Sequence, residues 1–220
     1  MKLFNPSKNK KEALAIDEAY ELFYKQLIDT YNDKGWKYFK SQRCLKKTIK
    51  DLVFQINFYT SKWNSSFENI EIQSECQIWS KSFDKKLNVH SQVGYYKFKP
   101  NNGNDWYSIL HKEEIEKVID ELVNNMNNTI IKLTNMFETD FIETIKTIAS
   151  DEQYDIYHFT IKFIDTYVGR NYINRLTKKC INSLNEDIRK DIERYKNGAK
   201  DTYWMINPTD LKYLIDNNIV

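Results

Sequence analysis

The spacing of apolar residues changes twice along this chain, and these changes limit most strongly which folds it can adopt. Apolar residues recur every three to four positions from Ser7 to Tyr31, alternate with polar ones over most of Leu52 to Phe98, and return to the first spacing from Lys112 onward. Three-to-four spacing places side chains on one face of a helix, and alternation places them on one face of a strand. The sequence therefore predicts an α+β fold with the sheet in its first half.

Alternation is clearest in three segments, which we predict to be strands. They run from Leu52 to Tyr59, from Ile70 to Trp79 and from Val89 to Phe98. Short connections between adjacent strands favour antiparallel pairing, because a parallel pair needs a long crossover. The stretch from Lys37 to Ile49 adds one or two strands, although Leu45 to Leu52 is also compatible with a helical turn. We expect an antiparallel meander of about four to five strands.

Helices are predicted on both sides of the sheet segment. The first runs from about Ser7, its expected N-cap, to Tyr31, and a long central helix from Lys112 to Phe137 carries an apolar stripe that covers the sheet. The rest of the chain reads as shorter helices. We expect a sheet domain in residues 1–150 and an all-helical C-terminal extension or subdomain in residues 151–220, packed on the first.

Composition places the chain among globular proteins. Its 220 residues, 41% of them hydrophobic and 29% charged, are enough to build a core without disulfide bonds. The three cysteines, Cys44, Cys76 and Cys180, are odd in number and widely spaced, which favours buried thiols over a disulfide framework. No segment has the length and apolar character of a signal peptide or a membrane span. We expect a cytoplasmic protein with no membrane partner.

The predicted strands place polar and aromatic side chains on one side of the sheet. Tyrosine and tryptophan provide rigid contact area and amides provide adaptable hydrogen bonds, a composition that suits recognition of another protein. An ordinary solvated face, or one covered by the C-terminal helices, is the alternative interpretation. The candidate partner-binding residues are Gln55, Asn57, Tyr59, Glu71, Gln73, Glu75, Gln77, Trp79, His90, Gln92 and Tyr96. They predict a non-enzymatic protein-binding module, such as an immunity, defence or accessory factor.

A basic run without any acidic residue supports a second hypothesis. Its members are Lys37, Lys40, Arg43, Lys46, Lys47 and Lys50. Aromatic residues lie between them, as in patches that bind single-stranded nucleic acid, so the alternative function is a nucleic-acid-binding protein or a nuclease assisted by Glu71 or Glu75. A solvated edge strand whose lysines block aggregation explains the same run. The net charge of only +2 weakens the nucleic-acid hypothesis.

Residue patterns for catalysis or cofactor binding are weak in this sequence. His90, His111 and His158 lack the spacing of zinc ligands, and no glycine-rich phosphate-binding motif occurs. Glu71 and Glu75 lie about 13 Å apart along a strand, which is too far for a catalytic pair. We therefore expect no catalytic residues, no metal and no cofactor.

Three short motifs resemble a known bacterial family. They are the segment Gly35-Trp36-Lys37-Tyr38-Phe39-Lys40, the segment Phe54-Gln55-Ile56-Asn57-Phe58-Tyr59-Thr60-Ser61 and the strand from Ile70 to Ile78. Their order over residues 7–150 resembles the family known as domain of unknown function number 4304. The resemblance implies an α+β fold and carries no activity with it.

Overall fold

Six antiparallel strands form one sheet in the computed structural model, which describes residues 12–81, 92–150, 161–183, 186–199 and 213–219. The strands are β1 (Lys37–Phe39), β2 (Cys44–Ile49), β3 (Leu52–Thr60), β4 (Glu71–Ser80), β5 (Gln92–Phe98) and β6 (Tyr107–Ser108). Strands β1 to β5 follow one another across the sheet in chain order, and β6 pairs with the start of β4. The predicted meander is confirmed.

The helices of the described ranges precede and follow the sheet along the chain. They are α1 (Ile16–Tyr31), α2 (Lys112–Met126), α3 (Lys132–Thr139), α4 (Phe141–Ser150), α5 (Ile161–Val168), α6 (Arg170–Ser183) and α7 (Glu186–Lys196). A π-helical segment, Asn127–Ile131, joins α2 to α3 and makes them one long central helix. The α+β class is confirmed. None of these described helices is long and apolar enough to cross a membrane.

The structure settles one alternative and moves one predicted boundary. The segment from Leu45 to Leu52 is strand, tight turn and strand, so the helical-turn alternative is wrong. Helix α1 begins at Ile16, because Ala15 is extended and Ala13 forms a bridge with His111. The backbone N–H of Ile16 donates to Ser66 Oγ at 3.1 Å, so a residue from the β3–β4 connection supplies the cap. The predicted cap, Ser7, lies outside the described residues.

The core lies between one sheet face and the helices. Phe54, Ile56, Ile72 and Ile78 are fully buried there, as the alternation predicted. Ring contacts join the layers: Phe58 of β3 meets Phe23 of α1, with ring centroids 5.7 Å apart, and Phe54 of β3 meets Phe137 of α3 at 5.8 Å. These large side chains fix how the helices lie on the sheet, since burial of aromatic rings dominates core energetics.

The described C-terminal helices share this core. Phe163 of α5 and Ile173 of α6 are fully buried members of the same apolar cluster. The Tyr167 ring packs on Phe141 of α4 at 5.4 Å, and the Tyr172 hydroxyl donates to the Lys146 carbonyl at 3.0 Å. The boundary at residue 150 stays a prediction, and the strand predicted from Val89 is described only from Gln92.

Candidate functional site

The strand register determines which side chains share the sheet face opposite the core. In one row across the strands Gln55 pairs with Gln77 and Gln77 with Tyr95; in the next, Asn57 pairs with Glu75. Paired residues in a sheet project to the same side. We call this surface the polar face. Its described members are Lys37, Phe39, Cys44, Lys46, Thr48, Val53, Gln55, Asn57, Tyr59, Glu71, Gln73, Glu75, Gln77, Trp79, Gln92, Tyr95, Lys97 and Ser108.

Tyr96 was predicted on this face, and the prediction is wrong. A register shift in β5 pairs Ile78 with Gly94 but the next residue, Trp79, with Gln92, so Val93 is an extra residue. Such a bulge reverses the alternation beyond it. Tyr96 therefore lies on the core face, where its hydroxyl donates to Asn125 Oδ1 of α2 at 3.1 Å. Gln92 remains on the polar face, and His90 lies outside the described residues.

Glu75 is the centre of the polar face. Its Oε1 accepts hydrogen bonds from the Tyr59 hydroxyl at 2.7 Å and from Gln77 Nε2 at 2.9 Å, and its Oε2 accepts from the Tyr95 hydroxyl at 2.8 Å. The two tyrosines come from the strands on either side of β4. Hydrogen bonds to an ionised carboxylate are short and strong, so Glu75 fixes both rings in place.

Both tyrosine hydroxyls remain protonated well above neutral pH. Partial burial, the hydrogen bond to Glu75 and the carboxylate charge, in that order of size, together raise the pKa of Tyr95 to about 12. The pKa of Tyr59 is raised for the same reasons, first by burial and then by Glu75. Each phenol is therefore a stable hydrogen-bond donor to Glu75, and the pair holds its geometry over the physiological range.

Replacing Glu75 with glutamine should lower the pKa of Tyr95 from about 12 toward its ordinary value of 10.0. Because this folded-state pKa lies above the unfolded one, the linked stability is present below pH 10 and is lost as the pH rises through 12. Tyrosinate absorbance during an alkaline titration measures the change as a difference between variant and parent. Glu71→Gln removes the same charge from the same strand without contacting either tyrosine, and should leave the titration unchanged. Identical curves for the two variants would contradict the assignment.

Other polar-face side chains contact one another or Asp105, in the connection between β5 and β6. Gln55 Nε2 donates to Asn57 Oδ1 at 2.5 Å, and Asn57 is buried. Gln73 Nε2 donates to the Asp105 carbonyl at 3.2 Å. Lys97 lies 3.1 Å from the Asp105 carboxylate, whose pKa it lowers by hydrogen bonding and charge. The described amides are thus partly engaged, and the half-exposed aromatic rings provide the accessible contact area.

The basic run does not form one surface. Lys37 and Lys46 pair on the polar face, but Lys47 points to the core face, where its ammonium lies 2.8 Å from Glu138 Oε1. Lys50 lies over the Phe141 ring at 5.0 Å. The two others, Lys40 and Arg43, line a groove beside α1. Consecutive strand residues face opposite sides, which separates Lys46 from Lys47. The basic side chains therefore lie in three places: on the polar face, on the side of the helices, and in the groove beside α1.

The described cysteines and histidines show no reactive arrangement. Cys44 and Cys76 are buried free thiols, and burial raises the pKa of each, which makes them poor nucleophiles. His111 precedes α2, and its Nδ1 lies 3.3 Å from the Glu12 carbonyl. In the described ranges no three His, Cys, Asp or Glu side chains come together as a metal site would require. His158 and the side chain of Cys180 lie outside those ranges.

Two aromatic residues of the polar face, Tyr95 and Phe39, were not among the residues predicted there. Alternation along the strand predicted from Val89 to Phe98 places Tyr95 opposite Tyr96, on the apolar side, and Phe39 lies among the aromatic residues of the basic run. Gly94 was the available signal for Tyr95, since glycine inside a strand often marks a bulge or a close approach. A Cβ at Gly94 would lie 3.1 Å from Ile78 Cδ1. Phe39 became visible only through the pairing of β1 with β2.

Comparison of the chain with protein-family models, with curated proteins and with solved structures gave no match. The resemblance to family number 4304 therefore stays a prediction.

Proposed function

We propose that this protein is a binding module that recognises another protein through its polar face and acts without catalysis. The observation that carries the proposal is the pair Tyr59 and Tyr95, which are 41% and 38% exposed and are both held by Glu75. Tyrosine is enriched at the residues that dominate binding energy in protein interfaces. Rings already fixed before contact lose little conformational freedom on binding, which favours affinity.

The charge on the polar face favours a protein partner over a polyanion. The Glu75 carboxylate lies between the two tyrosines, so a phosphate backbone crossing the centre would approach a negative charge. Two lysines, Lys37 and Lys46, lie on the β1–β2 side. A partner that fits this pattern presents acidic groups opposite these lysines and polar or apolar surface opposite the tyrosines. An immunity, defence or accessory factor that binds its partner protein directly would use such a surface.

A second candidate function is binding of single-stranded nucleic acid at the β1–β2 side. The Lys46 ammonium lies 5.0 Å from the centre of the Phe39 ring, which is 40% exposed, and Lys37 is its partner across the strands. A base stacked on Phe39 with its phosphate at these lysines would use this arrangement. Only these two lysines of the basic run lie on the polar face, so this candidate ranks second.

The test is affinity capture from cells of the source organism with the parent protein and the double variant Tyr59→Ala and Tyr95→Ala. A captured protein is then identified, purified and titrated by calorimetry. Loss of two aromatic contacts at the centre of an interface should weaken the affinity by about 100-fold. A matched control, Trp63→Ala with Phe67→Ala, removes two aromatic side chains that are 73% and 63% exposed and lie outside the polar face.

The proposal fails if the partner binds the double variant and the parent equally, or if only the control variant loses it. A single-stranded oligonucleotide is titrated in parallel at two salt concentrations. Salt-dependent oligonucleotide binding that disappears in Lys37→Glu with Lys46→Glu, without any protein partner, would establish the second candidate in place of the first.

A further inference from the structure

A groove of about 720 Å³ lies beside α1, at the edge of the sheet and away from the polar face. Tyr20 and Tyr24 of α1 and Tyr38 of β1 give it an aromatic lining. The rings of Tyr24 and Tyr38 lie against each other with centroids 5.3 Å apart. Its volume falls in the range of about 300–1,000 Å³ that is common for sites of small organic ligands.

Charged side chains of both signs line the groove. Helix α1 contributes the carboxylates of Asp17, Glu21 and Asp29 and the ammonium of Lys25, and the turn between β1 and β2 contributes Lys40 and Arg43. Within the described part of the chain, none of these six side chains forms an ion pair. Charges of both signs without ion-pair partners fit a ligand that itself carries both signs.

The Tyr24 hydroxyl is buried without a hydrogen-bond partner among the described residues, and the side chain is only 9% exposed. Burial raises the pKa of Tyr24, the charge interaction with Tyr38 raises it further, and the interaction with Arg43 lowers it. A buried polar group without a partner costs stability. An acceptor atom of a bound ligand would satisfy this hydroxyl.

Arg43 is held in a position to assist. Its Nη1 donates to Thr60 Oγ1 at 3.1 Å, and its guanidinium carbon lies 5.4 Å from the centre of the Tyr20 ring. The remaining guanidinium N–H groups are donors suited to a carboxylate. The Tyr20 hydroxyl accepts from Asn64 Nδ2 at 2.7 Å, so it can still donate its own proton.

We propose that this groove binds a small zwitterionic molecule of the α-amino-acid type. The ligand carboxylate bonds to Arg43 and the Tyr24 hydroxyl, its ammonium faces Asp17 and Glu21, and its apolar body lies on the tyrosine rings. A free amino acid carries both charges on one carbon, whereas a peptide carries them at its two ends.

The test titrates the full chain with L-phenylalanine and follows backbone amide resonances by NMR. Phenethylamine, which lacks the carboxylate, and 3-phenylpropionate, which lacks the ammonium, are the matched comparisons. L-phenylalanine should bind about tenfold more tightly than either, because each analogue loses one charged contact. The dipeptide L-alanyl-L-phenylalanine moves the ammonium away from the carboxylate. Tighter binding of L-phenylalanine supports the proposal, and tighter binding of the dipeptide would overturn it in favour of a short peptide.

Tyr24→Phe separates binding from a structural role. It removes only the unpartnered hydroxyl, so the free energy of unfolding should stay equal or rise while the affinity for L-phenylalanine falls about tenfold. Lys37→Gln changes one charge outside the groove and should leave the affinity unchanged. Absence of saturable shifts at the groove residues, equal binding of a single-charge analogue, or unchanged affinity in Tyr24→Phe would each overturn the proposal.

Discussion

Phe137→Ala is expected to lower the free energy of unfolding by about 3–5 kcal/mol, the usual cost of deleting a buried phenylalanine ring. Phe137 is fully buried, and its ring contacts Phe54 of β3 at 5.8 Å and Phe141 of α4 at 5.3 Å. It therefore joins the sheet, the central helix and helix α4 at one point. Alanine would leave a cavity where these three elements meet, and chemical denaturation measures the loss.

Two further variants make this prediction specific. Phe137→Leu keeps most of the side-chain volume and should lower the free energy of unfolding by less than about 1.5 kcal/mol. Trp63→Ala removes a larger ring that is 73% exposed and should change stability by less than about 1 kcal/mol. If Phe137→Ala and Trp63→Ala had similar effects, Phe137 could not be the packing centre described above.

Glu138→Ala is expected to destabilise the protein by about 2–3 kcal/mol, because it leaves a buried ammonium without its counter-charge. The Lys47 side chain is 10% exposed, and its Nζ lies 2.8 Å from Glu138 Oε1 and 3.2 Å from the Lys34 carbonyl. The carbonyl remains in the variant, and Glu138 itself is 47% exposed. Because Lys47 keeps the carbonyl as an acceptor and Glu138 is half-exposed, the loss of stability should lie at or below the low end of the range for fully buried pairs.

The reverse substitution should behave differently. Lys47→Met replaces the buried cation with an apolar side chain of similar length, while the half-exposed Glu138 regains water, so stability should stay equal or increase slightly. Glu143→Ala breaks an exposed pair with Lys146 and should cost less than about 1 kcal/mol. Denaturation midpoints measure all three. Equal losses in Glu138→Ala and Lys47→Met would show that the pair contributes by mutual attraction and not through the burial of Lys47.

The sequence predicted the sheet well where local and tertiary preferences agree. Leu52 to Phe58 alternates apart from the apolar Val53, and β3 lies at the middle of the sheet with one face on the helices, so the alternation predicted both the strand and its buried side. The prediction was wrong where one extra residue in β5 shifted the alternation of the two faces. The bulge at Val93 exchanged the sides of Tyr95 and Tyr96, and alternation alone does not show where a bulge lies.

Other features depend on contacts between distant parts of the chain. The cap of α1 is Ser66, fifty residues after Ile16, and no local pattern identifies such a partner. The basic run was predicted as one patch because its residues are close in sequence. Lys46 and Lys47 are sequence neighbours but lie on opposite sides of the sheet. The groove beside α1 exists only because the β1–β2 turn folds back on that helix.

Strand β5 also connects the two sides of the protein. Tyr95 and Tyr96 share a peptide bond, yet one hydroxyl bonds to Glu75 on the polar face and the other to Asn125 of α2. A displacement of this strand therefore moves an outer contact residue and an anchor of the helical layer together.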